Sequence, residues 1–221
     1  MKKIFFLAAA ITAFVACNNA PKADNAQTID RQTIATADGT AYAVDSSCSV
    51  TWIGSKPTGK HTGIFKLKEG SLIVKDNNLT AGSFTIDIAS LTNLDLAADA
   101  ENKGKLEGHL KSPDFFDAVK YPTAKFQITS VEPFKADGAS NDAVMKDATH
   151  TIKGNLTIKD STKNISFPAK VTVDGKKATA IADFKIDRTT WGMNYKGPNN
   201  PQDWFISKDV NIKLNIAASE K

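Results

Sequence analysis

The chain has little cysteine: Cys17 and Cys48 are the only two in 221 residues. A disulfide framework is excluded, so stability must come from a packed core. No apolar run reaches the roughly 20 residues that a transmembrane helix needs. Histidine is scarce, and His61, His109 and His150 have no partners at metal-ligand spacing. His-Glu-x-x-His, Cys-x-x-Cys and Gly-x-Ser-x-Gly are absent, so no motif points to zinc, dithiol or serine-hydrolase chemistry. The glycine-rich pieces lack the strand–loop–helix setting of a phosphate cradle. Asp87 and Asp183 fall on outward strand faces, where a solvated role is expected rather than acid–base work. No basic stripe exists: 28 basic residues are scattered among 24 acidic ones, for a net charge of +4. Nucleic acid is therefore not an expected partner. The residues predict no metal, no cofactor and no chemistry of the chain's own. Groups distant in sequence can converge in a fold, so an enzyme stays open as the alternative.

The start of the chain sets the expected compartment. Met1-Lys2-Lys3 is a positive n-region and residues 4–15 are an apolar h-region, the pattern of a secretory signal peptide. Phe14-Val15-Ala16-Cys17 resembles a bacterial lipobox, with Phe14 in place of the usual leucine. The expected division is a lipoprotein signal peptide at 1–16, an acylated Cys17 with a flexible tether at 17–40, and a folded domain at 41–221. The membrane then becomes a partner through Cys17, and the location is the cell envelope, on a periplasm-facing outer-membrane surface. Ordinary cleavage near Ala16, leaving a free or paired Cys17, is the competing reading. Residues 18–40 contain no aromatic residue, and such a segment is not expected to order itself. As a random chain it would span about 25 Å. Cys48, in the alternating run Ser47-Cys48-Ser49-Val50-Thr51-Trp52, is expected to be a buried, inert thiol.

From Ala41 onward the hydrophobic period is two. Val50 and Trp52, Phe65 and Leu67, Leu72 and Val74, and Phe84, Ile86 and Ile88 alternate with polar residues. The pattern recurs at Phe126 and Ile128, at Ile152, Leu156 and Ile158, at Phe167, Val171 and Val173, at Ala180 to Ile186, and at Val210 to Ile216. Such alternation means strands buried on one face. Asp174-Gly175 predicts a type I′ hairpin, and residues 160–163 a longer turn. Residues 97–110 read as one short helix, capped by Asp95 or Asp99 and weakened by Gly104 and Gly108. The expected fold is all-β: roughly eight antiparallel strands closed into a barrel, with one helical insertion. A barrel of that size has an interior that side chains fill or that holds one ligand. A sandwich remains open on pattern alone.

One segment does not fit a plain barrel. His109-Leu110-Lys111-Ser112-Pro113-Asp114-Phe115-Phe116-Asp117, followed by Tyr121-Pro122 and Phe126, sets a Phe-Phe pair in a polar stretch. Two aromatics there need a burial site, either as a plug in a filled core or as a lid over a cavity. Three more blocks accompany it: Trp52-x-Gly54-x-Lys56 with His61-x-Gly63-x-Phe65; Gly154-Asn155-Leu156-Thr157-Ile158-Lys159 with Phe167-Pro168; and Phe184-x-Ile186-Asp187-Arg188 with Trp191-Gly192 and Tyr195. Together the four blocks resemble the YceI-like family of bacterial lipid-binding, lipocalin-like proteins. Residues 141–149 and 197–203 align with no motif.

The resemblance implies a barrel whose interior holds a long apolar chain: a polyisoprenoid, an isoprenoid quinone or a fatty-acid derivative, for carriage or storage. The pocket residues it implies are Trp52, Phe65, Phe84, Ile86, Phe115 and Phe116 from the first half. Phe126, Leu156, Phe167, Phe184, Ile186 and Trp191 follow from the second. The expected partners are the apolar lipid and the membrane, and a homodimer is left open. Arg188 is expected at the surface packed on Trp191, with a head-group contact as the sharper reading. The competing functions are an enzyme or redox helper acting on a bound isoprenoid, and a structural or stress-related envelope protein with a filled core.

Overall fold

The computed structural model describes residues 22–34, 38–135, 145–197 and 205–221. Cys17, residues 141–144 and residues 198–203 lie outside them. The strands are β1 (Asp24–Asn25), β2 (Gln27–Asp30), β3 (Thr40–Val44), β4 (Ser49–Lys56), β5 (Gly59–Lys75), β6 (Asn78–Asn93), β7 (Thr123–Pro133), β8 (His150–Ile158), β9 (Ser161–Asp174), β10 (Lys177–Asp187) and β11 (Asp209–Glu220), with one helix, α1 (Ala100–Lys111). β3 and β4 share one position between β11 and β5, so eight positions run β3/β4, β5, β6, β7, β8, β9, β10, β11 and close on themselves. All of these ladders are antiparallel. The expected all-β barrel with one helical insertion is present, and the sandwich is not.

Local chemistry explains the closure. The β5–β6 turn places Asp76 and Asn77 at φ +51° and +59°, the I′ pattern that Asp and Asn tolerate. At β9–β10, Asp174 pairs with Lys177, and Gly175 has φ +54° while Lys176 does not go positive. That is the II′ pattern with glycine first, one residue out of register from the expected I′ turn. The expected longer turn at 160–163 is a two-residue turn at Lys159-Asp160, because Ser161 already pairs with Ile158. Register shifts between Ile64 and Lys66, Leu67 and Glu69, and Ile73 and Val74 bend β5 against β6, as bulges do where a sheet must curl. The β3/β4 break is held by Cys48, whose N–H donates to the Asp45 carbonyl at 3.0 Å and whose Sγ accepts from Ala217 N–H at 3.2 Å. Cys48 is a free, buried thiol, as expected, though it precedes β4 rather than lying inside it.

The helix starts three residues later than expected, with Asp99 as its cap, accepting from Asn102 N–H at 3.1 Å. Asp95 binds Thr62 N–H at 2.6 Å instead.

The expected flexible tether is corrected over residues 24–30. β9 and β10 pair only between Lys170–Asp174 and Lys177–Ile181, then part. The N-terminal segment fills that seam: β1 pairs parallel with β10 at Phe184 and Lys185, and β2 antiparallel with β9 from Lys163 to Ser166. Strand addition uses main-chain donors and acceptors, so a segment poor in apolar side chains still orders. Its end is clamped by Asn155, which accepts from Gln32 N–H at 3.0 Å and donates to Gln32 O at 2.7 Å. Asn155 is 2% exposed and also accepts from Asn164 Nδ2. Asn155→Ala is expected to lower stability by about 1–3 kcal/mol, because it orphans buried partners. Amide exchange over residues 27–30 should then accelerate relative to β7. Unchanged exchange there would show that the ladder alone holds the segment.

Candidate functional site: an aromatic-walled cavity

The barrel encloses a cavity of about 330 Å³, within the range of small-molecule sites. Eleven of the twelve expected pocket residues line it: Trp52, Phe65, Phe84, Ile86, Phe115 and Phe116, then Phe126, Leu156, Phe167, Phe184 and Ile186. Phe84, Phe116, Phe126 and Leu156 are half-buried rather than fully buried, as side chains with one free face on a cavity should be.

The aromatics form a belt. Phe84 stacks on Phe126 at 6.4 Å, Phe126 meets Phe167 at 5.9 Å, and Phe167 stacks on Phe184 at 4.0 Å with an interplanar angle of 10°. These rings come from β6, β7, β9 and β10, so the belt must cross β8. Gly154 makes that crossing: a Cβ there would lie 2.3 Å from Phe126 Cζ. The Phe167–Phe184 stack spans the seam where β9 and β10 share no hydrogen bonds. Gly63 serves Trp52 in the same way, since a Cβ there would sit 2.3 Å from its Cζ2.

The Phe-Phe segment folds back over one end. Phe116 N–H donates to Leu110 O at 3.1 Å, and Asp117 N–H to Ser112 O at 2.9 Å. Phe115 is 5% exposed, and Phe116 meets Phe65 edge-on at 5.2 Å. Phe115 also packs against His109 at 5.2 Å and Tyr195 at 5.6 Å. Leu106 and Leu110 of α1 add to the wall. The segment is thus a lid over a cavity rather than a plug in a filled core.

Trp191 is the exception among the expected pocket residues. It is 1% exposed but does not line the cavity, and its Nε1–H donates to Leu156 O at 3.1 Å. The short 3-10 turn Arg188–Trp191 carries it past the end of β10. Period-two reasoning does not apply to a residue outside a strand.

The surface placement of Arg188 is also corrected. Its side chain is 2% exposed, and the ring it faces is Phe115, at 5.7 Å, not Trp191. Nε donates to Ser207 O at 2.9 Å, Nη2 to Tyr195 O and Ile206 O at 3.0 Å each, and Nη1 to Met193 O. Burial lowers the guanidinium's pKa from its usual value, and the charge of Asp187 opposes that shift. Four carbonyl acceptors cross-link the 188–207 connection to the end of β10.

Sequence reading put Ala180 and Ala182 in an alternating strand but counted none of the alanines that make the room among the pocket residues. Ala124, Ala169, Ala180 and Ala182 line the cavity. Ala180 and Ala182 share the strand parity of Phe184, which was the available signal. His61 and His109 sit at the rim, each with a carboxylate: His61 Nδ1 lies 2.8 Å from Asp95 and His109 Nε2 lies 3.0 Å from Asp114. Burial disfavours the ionised Asp95, but bonds from Thr62 N–H, His61 and Asn93 outweigh it and hold the carboxyl below its usual range. Among the described residues no group of three His, Cys, Asp or Glu is placed to hold a metal ion.

The chain is 32% identical over 130 residues to Protein YceI of Escherichia coli, covering 56% of this chain and 59% of that protein. The match thus spans about three fifths of that relative's length. A UPF0312 protein of Pseudomonas putida is 31% identical over 154 residues, covering 69% of this chain and 71% of that protein. BcnA of Burkholderia cenocepacia has the same fold, with a TM-score of 0.58 at 22% identity, over 80% of this chain and 99% of that one. So does a polyisoprenoid binding domain from Saccharophagus degradans, with a TM-score of 0.57 at 14% identity, over 82% and 99%. At these identities the two solved structures speak to fold alone. The YceI-like domain pattern matches residues 42–218, the stretch that builds the barrel and its lid, and the chain belongs to the YceI-like family.

Proposed function

We propose that the chain holds the apolar tail of a long-chain lipid inside the barrel, for carriage or storage, and performs no chemistry on it. A polyisoprenoid, an isoprenoid quinone and a fatty-acid derivative are the candidate ligands. The single observation that carries this reading is the cavity: an aromatic belt and aliphatic side chains surround it, and no Asp or Glu is among the described residues that line it. Each methylene buried there contributes about 0.8 kcal/mol. Flat aromatic walls offer large apolar area without a polar penalty. The fold is shared with the polyisoprenoid binding domain from Saccharophagus degradans, and the proposal extends that domain's ligand class to this chain. The proposal includes a lipid anchor on Cys17 and a periplasm-facing outer-membrane location, supported by the n-region, the h-region and Ala16 before Cys17.

One measurement tests both parts. Full-length protein expressed in a Gram-negative host is weighed intact, then extracted with organic solvent and the extract analysed by mass spectrometry. The expected results are an acylated chain that begins at Cys17 and a stoichiometric long-chain lipid. An unmodified Cys17 defeats the anchor. An extract with no lipid enriched over a control protein defeats the carrier.

A further inference from the structure

The two ends of the cavity differ chemically. Away from the lid the wall is aliphatic, with residues such as Leu79, Ile152 and Ile216. Around the lid it carries hydrogen-bond donors. Trp52 lines the cavity and is 7% exposed, and its Nε1–H has no acceptor among the described residues. A buried donor without a partner carries a desolvation cost, and an acceptor that arrives with a ligand removes it. Further along β4, Ser55 is 7% exposed and Lys56 is exposed, and both line the same opening. No ion-pair partner of Lys56 occurs among the described residues. The segment leading into the neighbouring strand β11 is tied to β4 here: Ser207 N–H donates to Ser55 O at 2.9 Å, and Arg188 Nε donates to Ser207 O at 2.9 Å.

Arg188 gives this end a fixed positive charge. Its four protein acceptors are neutral carbonyls. The neighbouring Asp187 carboxylate is engaged by Thr189 and Lys208. The rim carboxylates Asp95 and Asp114 are engaged by His61 and His109. Among the described residues, the lining therefore combines cations and an orphan N–H with no acidic residue. Charges in a low-dielectric mouth select strongly by sign.

We propose that this end of the cavity is a head-group site for an anionic, acceptor-only oxygen head on a long apolar chain, seated against Trp52 Nε1, Ser55 and Lys56 in the field of Arg188. A phosphate on an isoprenoid and the carboxylate of a fatty acid share this chemistry. The proposal rests on the reading that the barrel holds an apolar tail, and adds which amphiphiles it selects.

The test uses the full-length, delipidated chain in detergent and four probes: geranylgeranyl monophosphate, geranylgeraniol, palmitate and hexadecanol. Calorimetric titration should show each anion binding at least about tenfold tighter than its matched alcohol, with the gap narrowing as salt rises. Lys56→Gln, an exposed change, should weaken the anions more than the alcohols and so shrink the gap about threefold or more. Trp52→Phe keeps an aromatic ring in place and removes the donor, and should also weaken the anions selectively. Phosphate tighter than palmitate names the isoprenoid source, and the reverse names the fatty acid. Alcohols that bind as tightly as anions, or variants that weaken all four probes alike, overturn the head-group site while the tail cavity stands. Failure of all four probes to bind overturns both.

Discussion

Arg188→Met is expected to destabilise the fold by about 3–5 kcal/mol. The substitution keeps a long apolar stem but strands the carbonyls of Ser207, Met193, Tyr195 and Ile206, all of which the guanidinium now satisfies. The Phe115 ring also loses the cation over its face. Urea denaturation followed by tryptophan fluorescence reads the change directly. The control is Lys208→Met, which breaks the partly exposed pair with Asp187 and should cost no more than about 1 kcal/mol. Equal, small losses in both variants would mean that the 188–207 connection finds other donors and that Arg188 is not its keystone.

Ala182→Phe is expected to do the opposite: leave the fold nearly intact and abolish lipid retention. Ala182 is 3% exposed and lines the cavity on β10, two residues before Phe184. A benzyl group there enters open volume rather than a packed core, so stability should change by no more than about 1 kcal/mol. The same ring stands where an apolar tail would run. Melting temperature and bound lipid measured on one preparation decide the matter. Full lipid retention with an unchanged melting temperature would place the lipid outside the barrel. A strong loss of stability would show that the interior near Ala182 is already close-packed.

The barrel was legible because its determinants are local. Period-two runs such as Phe84, Ile86 and Ile88 report a strand with one face turned inward, whatever it packs against. The inward faces of the strand aromatics followed from the same parity; Phe115, Phe116 and Trp191 lie outside the strands, where parity has no meaning, and of these only Trp191 does not line the cavity. Composition misjudged residues 24–30, because it weighs side chains and the segment is held by backbone bonds to β9 and β10. Arg188 was misplaced for a related reason: its acceptors are main-chain carbonyls brought together from residues 193–207.

By itself, the order of residues determined the all-β class, the single helix, the inward faces of the strands and the family to which they belong. Only the tertiary structure decided that the interior is a cavity rather than a filled core, that Phe115 and Phe116 cover it, and that a seam between β9 and β10 is closed by the chain's own N-terminal segment. The physical reason is that alternation specifies which side chains face inward but not how much space their strands enclose. That space depends on closure, bulge positions and contacts such as Phe126 across Gly154, which exist only once distant strands have met.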